Sequence, residues 1–271
     1  MEAGKPQQAD QPLELPGIDL DEAGLRVGRG GPAGEVVTIT LARPQRRNAQ
    51  RPATWLTLDA IGRALPGDVR IVVVTGEGPA FSAGIDLAVL GEMAGSGAAG
   101  VPSEDTIGTY QAGFTWLSRP DIVSIAAVAG HAVGAGFQLA LACDLRVLAD
   151  DAQFTMAEVS RGLVPDLTGT EALVHHIGYA RALELCLTCR RVGAAEAKEL
   201  GLANIVVPRD QLEAATSDLV AVLLAASRQA SVETKALLLR ARQQAIDPAG
   251  QHRAEREAQR RVMLGIVGAG D

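Results

Sequence analysis

Two glycine-rich turns are the parts of this sequence best suited to chemistry. The first is Gly76-Glu-Gly-Pro-Ala-Phe-Ser-Ala-Gly-Ile-Asp-Leu87, at the end of the β-branched run Arg70 to Thr75. The second lies within Val123 to Asp144, where a buried strand (Ile122 to Val128) and a turn (Ala129, Gly130) lead to a helix opening on Gly134-Ala135-Gly136. Glycine at a strand-to-helix turn lets the backbone approach a ligand closely, because no Cβ intervenes. The first amides of a helix are unpaired and carry the positive end of its dipole. Two such turns can offer two backbone N–H groups to one atom, an arrangement that suits an oxygen gaining negative charge during a reaction.

Other reactive residue types carry less. The segment from Ala157 to Asp166 holds the acids Glu158 and Asp166 with little regular pattern. On residue type alone Glu158 reads as a surface acid after a short strand. Asp166 reads as a helix N-cap ahead of Thr168 and Thr170. His131 reads as a histidine packed at a turn. His175 and His176 sit on a helix without a partner cluster, so no metal is expected. Cys186-Leu-Thr-Cys189 has the spacing of a metal or redox pair, but it lacks a second Cys or His pair and lies at a helix end. Buried structural thiols are the expectation there.

These turns must be held by an α/β framework. Leu25 to Val27 and Val36 to Leu41 read as a hairpin, Arg70 to Thr75 as a strand buried on both faces, and Leu145 to Ala149, Gln153 to Met156 and Ile205 to Val207 as further strands. Thr54 reads as the cap of a helix that turns Leu56, Leu58, Ile61 and Leu65 inward. Helices are expected over Thr106 to Leu117, Thr170 to His176, Ala180 to Thr188 and Ala194 to Leu200, the last closed by Gly201. Beyond Pro208 the chain reads as helical, with Leu212, Ala215, Leu219, Val222 and Ala226 as one apolar stripe. Two more helices follow, over Ser231 to Gln244 and Gln251 to Met263, split at Asp247 to Gly250. Residues 91–104 form a run of small residues that is either a plain connection or a mobile wall over a pocket. The resulting division is a loose arm over 1–20, a core over 21–207 and a helical region over 208–271.

Composition bounds the partners. The 271 residues are 47% hydrophobic but only 3% aromatic, so a sizeable core must be packed from aliphatic side chains. The net charge of −7 disfavours nonspecific nucleic-acid binding. Val123 to Asp144 approaches the roughly 20 apolar residues of a membrane span, but three glycines, His131 and Gln138 interrupt it and Asp121 and Asp144 bound it. A soluble reading is preferred. The start, MEAGKPQQADQPLELPG, has neither a basic lead nor an apolar core, so a cytoplasmic protein is expected.

Taken in order, several pieces resemble the enoyl-CoA hydratase/isomerase (crotonase) family. They are Leu41-Ala-Arg43-Pro44 with Asn48-Ala49, Val74 to Gly76 through Phe81-Ser-Ala-Gly-Ile-Asp-Leu87, and Gly130-His-Ala-Val-Gly-Ala-Gly-Phe-Gln-Leu-Ala140 with Cys143-Asp144. Phe154 to Glu158, Gly162 to Asp166 and Ala194 to Leu202 complete the set. The resemblance runs from about residue 25 to the end. It implies a crotonase-like spiral of ββα units, a C-terminal helical region that builds trimers, often paired into hexamers, and an acyl-CoA thioester ligand. Coenzyme A would then be part of the substrate, with no separate cofactor.

By position, the resemblance makes the amides of Ile85 and Ala135 an oxyanion hole, with Ala83, Gly84, Asp86, Gly134 and Gln138 around the substrate. Asp86 is expected mainly to hold its turn. The family's hydratases use two glutamates; one matches Glu158, and Gln138 stands at the other position. A glutamine amide can hold water but cannot take up its proton as a carboxylate does. One carboxylate suffices to move a proton from C2 to C4 of a 3-enoyl thioester, so isomerisation is favoured over hydration, with Glu158 as the shuttle. Asp166 matches a place where some members carry a working aspartate, alongside its reading as a cap. Arg46 and Arg47 fall near the family's CoA-binding edge and either contact phosphates or form a solvated pair. A noncatalytic acyl-CoA-binding protein and a scaffold subunit are the alternatives from other classes.

Overall fold

The computed structural model describes residues 11–13 and 15–243, together with Arg253, Arg256, Glu257, Gln259, Arg260 and Leu264. The strands are β1 (Gln11–Pro12), β2 (Leu25–Gly30), β3 (Val36–Leu41), β4 (Ile71–Gly76), β5 (Val123–Val128), β6 (His131–Val133), β7 (Leu145–Ala149), β8 (Gln153–Thr155), β9 (Val192–Gly193) and β10 (Ile205–Val207). The helices are α1 (Leu20–Ala23), α2 (Pro52–Ala64), α3 (Leu87–Gly95), α4 (Glu104–Thr115), α5 (Ala135–Ala142), α6 (Gly169–Ile177), α7 (Tyr179–Thr188), α8 (Ala194–Leu200), α9 (Leu212–Ala225) and α10 (Arg228–Gln243).

Seven strands form one sheet in the order β1-β2-β3-β4-β5-β7-β10. It is antiparallel through β3, where the expected hairpin pairs Leu25 with Leu41, and parallel from β3 onward. A second sheet, β6-β8-β9, lies beside it. The chain leaves the large sheet at β5 for β6 and again at β7 for β8, which gives the winding strand, strand, helix order. The β-branched run of β4 is buried on both faces, as expected. Val72 and Val74 join the core containing Phe81 and Phe137, while Ile71 and Val73 join Ile125, Val147 and Val220 under α9.

Several expectations are corrected. The loose arm does not extend through residue 20. Residues 1–10 lie outside the described residues, but β1 pairs with β2, and Leu13, Leu15 and Leu20 pack against the core. Helix α2 starts at Pro52, because proline's fixed φ suits the first helical position. Thr54 therefore lies inside the helix, where its hydroxyl accepts the Arg51 N–H (3.1 Å) and donates to Ala23 O (2.7 Å). That start turns Trp55 inward and leaves Leu56 exposed.

Residues 91–104 are not a plain loop. Helix α3 runs to Gly95 and a 3₁₀ turn spans Gly97–Gly100. His131 belongs to β6, a three-residue strand between two glycines, rather than to a turn. The cap of α6 is Thr168, not Asp166. On α9, Val220 and Leu223 face inward and Val222 faces out. Cys186 and Cys189 are half-buried free thiols rather than fully buried ones. The break at Asp247 to Gly250 lies outside the described residues, as does most of Gln251 to Met263. No helix among the described residues is long and apolar enough to cross a membrane.

Candidate active site

The two glycine turns meet. Residues Ser82 to Asp86 run as an extended segment between Asn48–Gln50 on one side and β6 on the other. Ser82 N–H donates to His131 O and Val133 N–H to Ser82 O, both at 2.9 Å. Across from them Gln50 N–H donates to Gly84 O (2.7 Å) and Asp86 N–H to Gln50 O (2.8 Å). In a parallel ladder these two bonds go to the neighbours of Ile85, so the Ile85 N–H points away from Gln50. Ala135 is the first residue of α5, where an N–H has no preceding turn to bond. Neither amide has an acceptor among the described residues. Gly84 holds the two turns together. It has φ +83°, and a Cβ there would lie 2.5 Å from Val133 O and 3.5 Å from Ala135 N.

Beside this pair sits Glu158. A Cβ on Gly134 would lie 3.2 Å from Glu158 Oε1, so the carboxyl group rests against the start of α5. Gln138, one turn into α5 and fully buried, fixes it. Its Oε1 accepts the backbone N–H groups of Leu167 (2.9 Å) and Gly169 (3.1 Å). Those two donors settle which side-chain atom is oxygen. The amide Nε2 therefore faces Glu158 and donates to Oε1 at 2.7 Å. The other oxygen, Oε2, is buried with no hydrogen-bond partner. Burial pushes the Glu158 carboxyl up to about 7, against the opposing pull of nearby backbone amides, the Gln138 N–H and the charge of Arg161.

All these groups line one cavity of about 320 Å³. Ala83, Gly84, Ile85 and Asp86 form one edge, Gly134, Ala135 and Gln138 the next, and Glu158 and Asp166 a third. The residues expected as catalytic acids, oxyanion-hole donors and substrate neighbours are thus brought together. The remaining wall is largely apolar, with Trp55, Leu90, Ile107, Tyr110 and Leu167 among its members. Asp86 holds its turn by accepting Arg43 Nη2 (2.9 Å) and Ala88 N–H (3.2 Å). Burial pushes its pKa up, but the bond and charge of Arg43, with the Ala88 N–H and the charge of Arg46, outweigh that and leave Asp86 below the ordinary value. Asp166 lines the cavity, and its backbone oxygen accepts Gln111 Nε2 at 2.8 Å. Arg46 lines the cavity while remaining exposed, whereas Arg47 does not line it.

The histidines lie elsewhere. His131 is half-buried in β6, and His176 Nε2 meets Arg146 Nη2 at 3.2 Å. Burial, then the charges of Arg146, Arg242 and His175, lower His176 to about 3. No cluster of three His, Cys, Asp or Glu that could hold a metal occurs among the described residues. Sequence reasoning missed Gln50, Trp55, Tyr110 and Gln259. The misplaced start of α2 hid Trp55, and a tilted contact with Tyr110 (5.1 Å between ring centres) shows how it walls the cavity. Gln259 accepts the Val164 N–H across 95 residues, a pairing with no local signal.

Comparison with known proteins gives the chain a family and a fold. Residues 32–261 match the family model described as enoyl-CoA hydratase/isomerase. A provisionally named enoyl-CoA hydratase from Thermobifida fusca YX, solved in complex with acetoacetyl-CoA, is 50% identical with a TM-score of 0.78, covering 91% of this chain and 97% of that one. A monofunctional enoyl CoA isomerase from M. smegmatis is 30% identical with a TM-score of 0.67, covering 86% and 98%. A "Probable enoyl-CoA hydratase" of Mycobacterium tuberculosis is 38% identical over 176 residues, which span 64% of this chain and 66% of that relative. The matched span, the ordered glycine turns and the shared winding of strands lead to one assignment: the chain belongs to the enoyl-CoA hydratase/isomerase family and has the crotonase fold.

Proposed function

We propose that the chain is an acyl-CoA enzyme of isomerase type, converting a 3-enoyl thioester to its conjugated 2-enoyl isomer in fatty-acid or related acyl-CoA metabolism. The observation that carries this reading is the hydrogen bonding of Gln138. Both of its oxygen's lone pairs are taken by Leu167 and Gly169, and its N–H is given to Glu158. It therefore acts as a brace for Glu158 and has no capacity to activate water. The thioester ligand is supported by the acetoacetyl-CoA complex of the Thermobifida relative. The reaction type is supported by the likeness to the M. smegmatis isomerase.

In this reading the thioester oxygen sits between the N–H groups of Ile85 and Ala135. Glu158, through its unpartnered Oε2, takes the proton from C2, and the C–H electron pair enters a dienolate whose charge rests on that oxygen. The double bond moves from C3–C4 to C2–C3 as Glu158 returns the proton to C4. Nothing is oxidised or reduced, and coenzyme A leaves as part of the product. A carboxyl whose pKa is raised to about 7 is matched to both transfers at neutral pH. Ala83, Gly84, Asp86 and Gly134 shape the substrate's surroundings, and Arg46 is placed to meet CoA phosphates.

Hydration is the second reading, and one observation favours it: Asp166 lines the cavity and is not the cap of α6, so a second carboxyl is present. The two are separated by supplying crotonyl-CoA and a 3-enoyl-CoA in turn and following thioester conjugation by absorbance. Isomerisation of the 3-enoyl substrate should dominate and fall by at least about 10²-fold in Glu158→Gln. Fast hydration of crotonyl-CoA that survives this substitution would sink the assignment. Tight acyl-CoA binding without turnover of either substrate would favour a noncatalytic binding protein.

A further inference from the structure

Behind the cavity runs a chain of buried polar groups that the proposed reaction does not use directly. Gln50 is fully buried. The indole N–H of Trp55 donates to Gln50 Oε1 at 2.7 Å, and Gln50 Nε2 donates to Ser82 Oγ at 3.1 Å. Ser82 Oγ in turn donates to Asn48 O (2.8 Å) and accepts the N–H of Gly84 (3.2 Å). Each role is fixed by chemistry. An indole nitrogen only donates, so it must face the glutamine oxygen, which turns the amide nitrogen toward Ser82. The serine proton goes to Asn48 O, leaving its lone pairs for Gln50 and Gly84. The backbone of Gln50 grips the same segment from the other side, through Gly84 O and the Asp86 N–H.

One end of this string is the Trp55 ring in the cavity wall, and the other is the residue immediately before Ile85. The backbone of Trp55 is itself pinned, since a Cβ on Gly113 of α4 would lie 2.2 Å from Trp55 O. We infer that Gln50 is a positioning residue for catalysis, setting the Ile85 N–H by tying the Gly84 turn, through Ser82, to the wall against which the acyl group packs. The inference rests on the reading of Ile85 and Ala135 as the thioester-oxygen donors. Such donors act only when held within a few tenths of an ångström of their productive position, and an Å-scale displacement can cost about 10²-fold in rate.

The test uses acetoacetyl-CoA, whose enolate has its own ultraviolet band. At a fixed pH the enolate-to-ketone ratio of the bound ligand reports how well the donors hold a negative thioester oxygen, and no turnover is needed. Wild type should raise that ratio above its value in solution. Gln50→Met, of similar size but unable to make either bond, should lower it by about tenfold and lower kcat more than it raises KM. Affinity for plain CoA, which has no thioester carbonyl, should stay within about twofold of wild type. Trp55→Phe keeps a ring in the wall and should lower the ratio by about threefold; combined with Gln50→Met it should add little, because the two act on one string. Trp55→Phe also decides the matter if Gln50→Met does not fold.

The failures are distinguishable. Without enrichment in wild type, the reading of Ile85 and Ala135 falls, and this inference with it. Enrichment in wild type that persists unchanged in Gln50→Met, or in Trp55→Phe where the former does not fold, overturns the role of Gln50 alone. Loss of plain CoA affinity in parallel with the ratio would reduce Gln50 to a folding residue and overturn it equally.

Discussion

Glu158 is held where its charged form is unfavourable, and this has a measurable effect on stability as well as on rate. Its carboxyl is raised from an ordinary 4.5 to about 7 by burial. Below pH 4.5 both folded and unfolded states carry the proton. Between 4.5 and about 7 the folded state binds more protons than the unfolded one, so stability falls as pH rises through this window. Above 7 the full penalty is present. Glu158→Gln keeps an oxygen for the Gln138 N–H and removes the charge. The variant should therefore match wild type in urea denaturation near pH 4.5 and exceed it at pH 8 by up to about 3 kcal/mol. The isomerisation rate runs the other way, since Glu158 must be ionised to take the C2 proton: kcat/KM should rise with pH through about 7 and that rise should vanish in the variant. A stability difference that stays flat from pH 5 to 8 would show that the acid is not stored protonated.

The elements around the site explain which parts of it were legible. The turns at Ile85 and Ala135 were readable because each is local: a β-branched run, glycines, then a helix start. The string from Trp55 to Gly84 was not, because Gln50 and Ser82 stand 32 residues apart and nothing near either announces the other. Strand β6 was hidden by its length of three residues. Helix α3 was hidden by Gly91 and Gly95, which read as loop although the apolar Leu87 and Leu90 face the cavity. Close packing at Gly84 gives a sharp comparison. Gly84 and Gly178 share nearly the same φ, +83° and +78°, but a Cβ at Gly178 would meet nothing within 4 Å. With ψ at 162° Gly178 lies in an extended positive-φ region that essentially only glycine adopts, so Gly178→Ala should lose that backbone cost alone, about 1–3 kcal/mol, with kcat unchanged. Gly84→Ala must also displace Val133 O, and with it the donor turn, so kcat should fall by about 10²-fold or more. Equal kcat in the two variants, measured alongside thermal unfolding, would mean that the approach of Gly84 to β6 does not set the donors.

At the scale of the molecule, the C-terminal helices have two unlike sides. Their inner side is tied to the core: α9 packs over β5 and β7 through Val220, and Lys235 of α10 donates to Asp144 Oδ2 (2.6 Å) and Ile122 O (2.7 Å). Their outer side carries apolar residues in water, with Val222 70%, Leu237 67% and Leu238 66% exposed. Helical periodicity could not have told these sides apart, since Val222 and Leu219 are both compatible with one stripe, and only packing against β5 and β7 selects Leu219, Val220 and Leu223. Side chains of this size left outside a core are best explained by a partner surface, and we propose that the partner is a second copy of this chain in a trimer or hexamer. Replacing Leu237 and Leu238 together by lysine should leave the monomer fold within about 0.5 kcal/mol per site while abolishing assembly, because burying two unpaired ammonium groups in an apolar interface is strongly unfavourable. Sedimentation velocity across a concentration series checks this: wild type should run as a multiple of three chains and the double variant as one. A monomeric wild type would leave those leucines without the role assigned to them.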